Sequence, residues 1–151
     1  ECGSLERIDL PVQLETMNAT AFFKDMALTV ITVAEGNARF QSDGVALYGK
    51  VDDENTLIYY ATGRGGSYQV KENITAIGAQ AFAYSRLSTI QFSEDIDTFG
   101  ENAFSNARLI RVDLPDKLQV ISAGAFQQCD SIINVKLGKK VKEIGKSAFE
   151  G

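Results

Sequence analysis

The sequence predicts a β-rich solenoid: a right-handed α/β-type stack of 22–23-residue repeats joined by short helical turns. Three observations lead to this prediction. The dipeptide Ala-Phe recurs at 22- or 23-residue spacing, an apolar triplet with nearly constant offsets follows the first three pairs, and a large apolar and a small residue precede each pair. Units of this length cannot bury an apolar face alone and must stack. Residues 1–151 are therefore predicted to form one domain.

The Ala-Phe pairs mark the turn of each repeat. Small Gly and Ala residues allow the chain to approach its neighbour closely, and the Phe ring is expected to fill the space between coils. The pairs are Ala81-Phe82, Ala103-Phe104, Ala125-Phe126 and Ala148-Phe149, preceded by Ile77-Gly78, Phe99-Gly100, Ile121-Ser122 and Ile144-Gly145. A degraded copy of the same unit carries Ala21-Phe22 near the N-terminus.

The apolar triplets mark the strand of each repeat. Their last two members are two residues apart, so both point inward and the residues that flank them point outward. The triplets are Leu5/Ile8/Leu10, Leu28/Ile31/Val33, Leu87/Ile90/Phe92, Leu109/Val112/Leu114 and Ile132/Val135/Leu137. Equivalent strands of successive coils should pair in parallel at about 4.8 Å.

The outward strand positions are the candidate binding face, because partners of repeat solenoids use such continuous surfaces. They form two columns of mixed polarity and charge. These columns are either an interaction surface or a sheet face that is merely solvated. One column is Arg7, Val30, Thr89, Arg111 and Asn134, and the other is Asp9, Thr32, Gln91, Asp113 and Lys136.

The stretch 37–67 interrupts the repeats and is predicted to be an insertion that contains a β-hairpin. Two short apolar strands lie between Asp43 and Tyr60 with a polar turn at 49–56, and residues 62–67 are expected to form a surface loop. Three tyrosines fall in the hairpin: Tyr48, Tyr59 and Tyr60. They either pack the hairpin onto the solenoid or form an aromatic recognition patch.

Several classes of chemistry are disfavoured. The chain has no histidine, which removes the Ser-His and Cys-His catalytic relays and the usual zinc ligand sets. We therefore predict no enzyme activity, no metal site and no cofactor. Cys2 and Cys129 are expected in coils too far apart for a disulfide, both as buried fillers. The acidic balance, a net charge of −5, argues against nucleic acid, and no apolar run reaches the roughly 20 residues of a membrane span.

The repeats resemble the BspA-like class of bacterial surface leucine-rich repeats. The resemblance rests on I-G-x-x-A-F at Ile77 to Phe82, on A-F-x-x-C-x-x-I at Ala125 to Ile132, and on Leu114-Pro115. It implies a curved leucine-rich-repeat solenoid, a secreted or cell-surface location, and a role in adhesion or partner binding. The Asn ladder of the familiar leucine-rich repeat is missing here, with Pro11 or Pro115 in its place.

The function expected from these observations is a non-enzymatic protein-interaction or adhesion module that binds a protein or a glycan. The absence of tryptophan weighs against a sugar platform. The alternative is a structural spacer that holds another domain away from the cell. Because no polar capping unit is visible, we expect either a piece of a longer repeat array or end-to-end self-association of copies.

Overall fold

The computed structural model describes residues 3–18, 20–22 and 24–151, and these residues form β-strands and no helix. The strands are β1 (Arg7–Leu10), β2 (Val30–Val33), β3 (Phe40–Ser42), β4 (Ala46–Val51), β5 (Glu54–Tyr60), β6 (Gly65–Gln69), β7 (Ala76–Ile77), β8 (Arg86–Gln91), β9 (Thr98–Phe99), β10 (Arg111–Asp113), β11 (Val120–Ile121), β12 (Asn134–Lys136) and β13 (Glu143–Ile144). They build a β-solenoid of about 6 turns, which confirms the repeat prediction.

Two parallel ladders run along the solenoid. Strands β6, β8, β10 and β12 form one sheet, and β1 pairs with β2 in the same manner at the N-terminal end. We call these two sheets together the strand face. The second ladder consists of two parallel pairs of short strands, β7–β9 and β11–β13, with β5 paired to β7. Because the repeats have nearly equal length, equivalent residues pair in register: Val112 lies opposite Val135, and Ile121 opposite Ile144.

The predicted short helical turns are wrong among the described residues. In the first Ala-Phe turn, Gln80 and Tyr84 have positive φ values of 57° and 62°, and Asn102 and Asn106 repeat the pattern one coil later. An α-helix needs consecutive right-handed residues, so left-handed residues at this spacing prevent it. The N–H groups of the turn instead bond to the next coil: that of Gln80 donates to the Glu101 carbonyl at 3.0 Å.

The Phe residues of the Ala-Phe pairs stack into a ladder through the core, as the sequence predicts. Ring centroids of successive coils are 5.0–5.3 Å apart, and the rings are near parallel. The ladder contains Tyr60, Phe82, Phe104, Phe126 and Phe149. Tyr60 is a member that the search for Ala-Phe missed, although it lies one repeat length before Phe82.

The insertion is a three-stranded antiparallel meander, β3–β4–β5, which contains the predicted hairpin β4–β5. The hairpin turn is tight: Asp52 and Asp53 both have positive φ, which is the type I′ geometry that suits twisted strands. The loop predicted at 62–67 is wrong at its end, because residues 65–67 belong to β6, which pairs in parallel with β8.

The meander divides the apolar core in two. Residues such as Leu47, Ile58 and Tyr59 pack with the N-terminal coils, while Leu57 and Tyr60 pack with the coils that follow. Both faces of the meander are therefore covered by the solenoid, and the solenoid continues on both sides of it.

Candidate functional site

The two predicted columns of outward side chains exist on the strand face. Arg111 lies opposite Thr89 on one side and Asn134 on the other, and Asp113 lies opposite Lys136. At the N-terminal end, Arg7 lies opposite Val30, and Asp9 lies opposite Thr32. The meander separates the two parts, because no ladder joins β2 to β6 among the described residues.

Strand β6 adds two residues to the columns that the sequence prediction missed. Ser67 lies opposite Thr89, and Gln69 lies opposite Gln91. A signal was present, since Tyr68 lies one repeat length before the inward residue Ile90. The glycine-rich composition of residues 63–66 favoured a loop instead of a strand, because such a sequence is typical of loops.

The N-terminal part of the face pairs its polar groups internally. Arg7 and Asp9 form a salt bridge of 2.7 Å, and the Thr32 hydroxyl donates to the same carboxylate from the next coil. The hydrogen bond from Arg7, followed by that from Thr32, holds the pKa of Asp9 below its ordinary value, and Asp9 in turn raises the pKa of Arg7. These groups are already satisfied before any partner arrives.

The C-terminal part of the face is open. Its outward side chains make no side-chain hydrogen bond or ion pair with any residue in the described ranges, and they are exposed. They are Thr89, Gln91, Arg111, Asp113, Asn134 and Lys136. A polar surface of this kind offers donors and acceptors of both charges to a ligand without breaking an internal contact.

A cleft of 620 Å³ adjoins this open part at the ends of β8 and β10. Gln91 and Asp113 line it together with Asp95, Asp116 and Lys117. Lys117 bridges to Asp95 of the preceding coil at 2.8 Å. Ion pairs of this kind join successive coils along the rim, and Lys139 forms the next one with Asp116.

The aromatic recognition patch predicted at Tyr48, Tyr59 and Tyr60 does not form. These side chains are only 4%, 2% and 2% exposed, because the coils cover both faces of the meander. In the structure they pack the hairpin onto the solenoid, which is the other role predicted for them. The Tyr59 hydroxyl donates to the Phe22 carbonyl at 2.9 Å.

Two tyrosine hydroxyls link the meander to β6 through one carboxylate. Tyr48 and Tyr68 both donate to the Asp43 carboxylate, at 2.9 and 2.6 Å. Burial raises the pKa of Tyr48 and Tyr68 above the ordinary range, and it raises the pKa of Tyr59 and of Tyr60 to about 12.

Cys129 is buried, as predicted, and its thiol donates to the Phe104 carbonyl at 2.9 Å. Burial raises the pKa of this thiol to about 11, which disfavours the reactive thiolate. Cys2 lies outside the described residues. Within the described ranges, no three potential ligands cluster as a metal site. No helix in those ranges is long and apolar enough to span a bilayer.

The last coil exposes apolar side chains. Phe149 is 40% exposed, although one face of its ring stacks on Phe126 at 5.3 Å, and Ile144 is 53% exposed. Strand β12 has a partner only in β10, and β13 only in β11.

Comparison with known proteins agrees with this architecture. The model of the BspA type leucine rich repeat region matches in 6 copies over residues 1–44 and 58–151, and the unmatched residues fall in the β4–β5 hairpin. No curated protein matches the sequence.

Solved structures share the fold at low identity. A leucine rich cell surface protein of Faecalibacterium prausnitzii A2-165 superposes with a TM-score of 0.87 at 22% identity, over 98% of this chain and 40% of that one. A leucine-rich repeat protein of Eubacterium ventriosum gives 0.71 at 17% identity, over 98% and 59%. The pneumococcal vaccine antigen PcpA gives 0.63 at 23% identity, over 95% and 46%. This chain thus spans 40–59% of those chains, and with its repeats, stacked rings and family match it belongs to the BspA-type leucine-rich repeat family.

Proposed function

We propose that this chain is a non-enzymatic interaction module of a secreted or cell-surface bacterial protein, with a role in adhesion. The open part of the strand face, β6–β8–β10–β12, holds its partner, which is a protein or a glycan. The observation that carries the proposal is the contrast in pairing: outward side chains are internally paired on β1 and β2 but unpaired on the open part.

The geometry of the open part supports recognition. Four strands in register present side chains in two straight columns at the strand spacing of about 4.8 Å. Arg111 and Asp113 lie on β10, an inner strand of this sheet with β8 on one side and β12 on the other. Arg is favoured at interaction surfaces because its planar guanidinium donates in a fixed fork.

The solved relatives support the location. One is described as a cell surface protein and another as a vaccine antigen, and both share the solenoid. Their names say nothing about a partner of this chain. The absence of a catalytic relay in a histidine-free sequence supports the non-enzymatic role.

A charge exchange tests the proposal against a matched control. The motifs Arg111-Val112-Asp113 and Arg7-Ile8-Asp9 are alike in sequence, so Arg111→Asp with Asp113→Arg and Arg7→Asp with Asp9→Arg are equal changes at two sites. Labelled protein is applied to a glycan array and to immobilised extracellular-matrix and epithelial surface proteins. We expect the exchange on β10 to abolish the binding seen with the unaltered chain, and the exchange on β1 to leave it intact.

The opposite outcomes lead to other functions. If both exchanges reduce binding equally, the binding does not depend specifically on the open part. If the unaltered chain binds nothing on either array, the spacer function is favoured instead. The stacked rings and the ion pairs between coils support that second candidate, because they stiffen the solenoid along its length.

We also propose that copies associate end to end through the last coil, where the outer face of Phe149 is exposed. Sedimentation equilibrium would show an average mass that rises with concentration, and Phe149→Ser would suppress that rise. A monomer at all concentrations would overturn this part alone.

A further inference from the structure

A cleft of 390 Å³ lies beside the meander, and none of the outward side chains of the open part lines it. It is bounded by β3, β4 and the segment between β6 and β7. Its volume falls in the range of small-ligand sites, which is roughly 300–1,000 Å³. Three cationic side chains line it, those of Arg39, Lys50 and Lys71, with Glu72 as the one carboxylate among the lining residues. This balance is the reverse of the chain as a whole, whose net charge is −5.

The cationic side chains lie on neighbouring segments. Arg39 directly precedes β3, and Lys50 follows Gly49, the residue that pairs with Phe40. Neither Arg39 nor Lys50 makes an ion pair within the described ranges. Lys71 is held over the Tyr48 ring, 4.8 Å from its centroid.

Gly49, which also lines the cleft, allows β3 and β4 to pack closely. A Cβ at this position would meet the Arg39 carbonyl oxygen and the Ile58 Cδ1 at 2.9 Å, so a side chain would push the strands apart. Amide side chains also line the cleft, those of Gln41, Asn55 and Asn73, and the Asn55 amide donates to the Asn73 carbonyl at 3.1 Å. An amide donates and accepts, which suits a ligand with hydroxyl groups.

We propose that this cleft binds an acidic saccharide unit, one that carries a carboxylate or a sulfate on a hydroxyl-bearing ring. The cationic side chains pair with the negative group of the saccharide, and the amide side chains form hydrogen bonds with its hydroxyls. A bare inorganic anion would leave the amides and most of the volume unused. Recognition here depends on charge and hydrogen bonds, so the absence of tryptophan does not count against it. The site is separate from the open part of the strand face and does not rest on the function proposed there.

The test is calorimetric titration of the full chain with 3′-sialyllactose and 3′-sulfolactose, with lactose as the neutral counterpart and inorganic phosphate and sulfate as bare anions. We expect at least one acidic trisaccharide or sulfated disaccharide to bind, with an affinity that falls as salt is added, and lactose not to bind. Arg39→Gln with Lys50→Gln should weaken binding about tenfold or more, since charge-assisted contacts are lost. Lys139→Gln with Lys140→Gln removes the same charge elsewhere and should change the affinity less than about twofold.

Several results would overturn the proposal. Equal binding of lactose would show that charge is not read, and equal binding of phosphate would show a site for any anion. The proposal is also wrong if neither acidic probe binds at millimolar concentration. It is equally wrong if binding is unchanged after the loss of Arg39 and Lys50. The melting temperature of the unliganded double variant gives an independent check: it should not fall, because neither cation makes an ion pair within the described ranges, and a fall would make the cations structural. The exchange of Arg111 and Asp113 should leave saccharide binding unchanged, which separates this site from the strand face.

Discussion

Arg7-Ile8-Asp9 on β1 and Arg111-Val112-Asp113 on β10 have nearly the same sequence and the same strand position, but their surroundings differ. Strand β1 has one neighbouring strand, and there Arg7 bonds to Asp9 while Thr32 donates to the same carboxylate. Strand β10 lies between two strands, and neither Arg111 nor Asp113 bonds to any described side chain. The neighbouring coils, rather than the motif itself, therefore determine whether an outward side chain is available to a partner.

The cores beneath these two parts differ in the same direction. Under the open part, five rings stack at 5.0–5.3 Å from Tyr60 to Phe149. On the other side of the meander, Phe22 is partly exposed and meets Tyr59 at a tilt of 55°. The unpaired polar groups of the open part therefore lie over the more regular of the two cores.

The largest expected effect is on the ring ladder. Phe104 is fully buried and stacks on a ring at 5.0 Å on each side. Phe104→Ala should lower the free energy of unfolding by about 3–5 kcal/mol, because it leaves a cavity that the coils cannot close. Phe22→Ala should cost clearly less. Urea denaturation followed by circular dichroism measures both, and equal losses would remove the distinction between the two cores.

A smaller effect is expected where coils approach each other through glycine. A Cβ on Gly100 would lie 2.3 Å from the Ala79 nitrogen, so Gly100→Ala must push two coils apart. We expect a loss of about 1–3 kcal/mol, the usual range for overpacking. Gly65→Ala is the matched control, because its Cβ would meet nothing closer than 3.4 Å. Similar melting temperatures for the two variants would contradict the close approach.

High pH should weaken the meander, which separates the two cores. Burial raises the pKa of Tyr59 and Tyr60 to about 12, above the ordinary value of about 10 in the unfolded chain. The folded state thus holds these protons more tightly, and stability falls as pH rises from about 10 towards about 12. By pH of about 10.5 the loss should be on the order of 1 kcal/mol. Thermal melts from pH 8 upward test it, and Tyr59→Phe should reduce the slope.

The repeat architecture was predictable because the residues that recur are the buried ones. A fixed spacing of Phe82, Phe104 and Phe126 requires coils of equal length, and equal length gives parallel pairing in register. The turn conformation was not predictable in the same way. Gln80 and Tyr84 adopt positive φ although neither residue type favours it, since bonds to the next coil outweigh the local cost.

The candidate site was predictable in its columns but not in its pairing. Alternation along a strand fixes which residues point outward, so Arg111 and Asp113 were identifiable. Whether they are paired depends on side chains one coil away, and on the meander that ends the N-terminal ladder. The basic cleft escaped detection because Arg39, Lys50 and Lys71 are distant in sequence and meet only after β3 pairs with β4.

The smallest expected effect concerns the pairing on β1 itself. Hydrogen bonds from Arg7 and then Thr32 hold the pKa of Asp9 below its ordinary value, so this contribution to stability is present at neutral pH and is lost as pH falls through the lowered pKa. Arg7→Gln should raise the pKa of Asp9 in a carboxyl-detected NMR titration, while Arg111→Gln should leave it unchanged. The melting temperature should hardly move, because exposed ion pairs contribute little. If Asp9 already titrates at its ordinary pKa in the unaltered chain, the Arg7 pair is not formed in solution. The two Arg-x-Asp motifs would then be equally available to a partner, and the preference for β10 would have to come from the core beneath it.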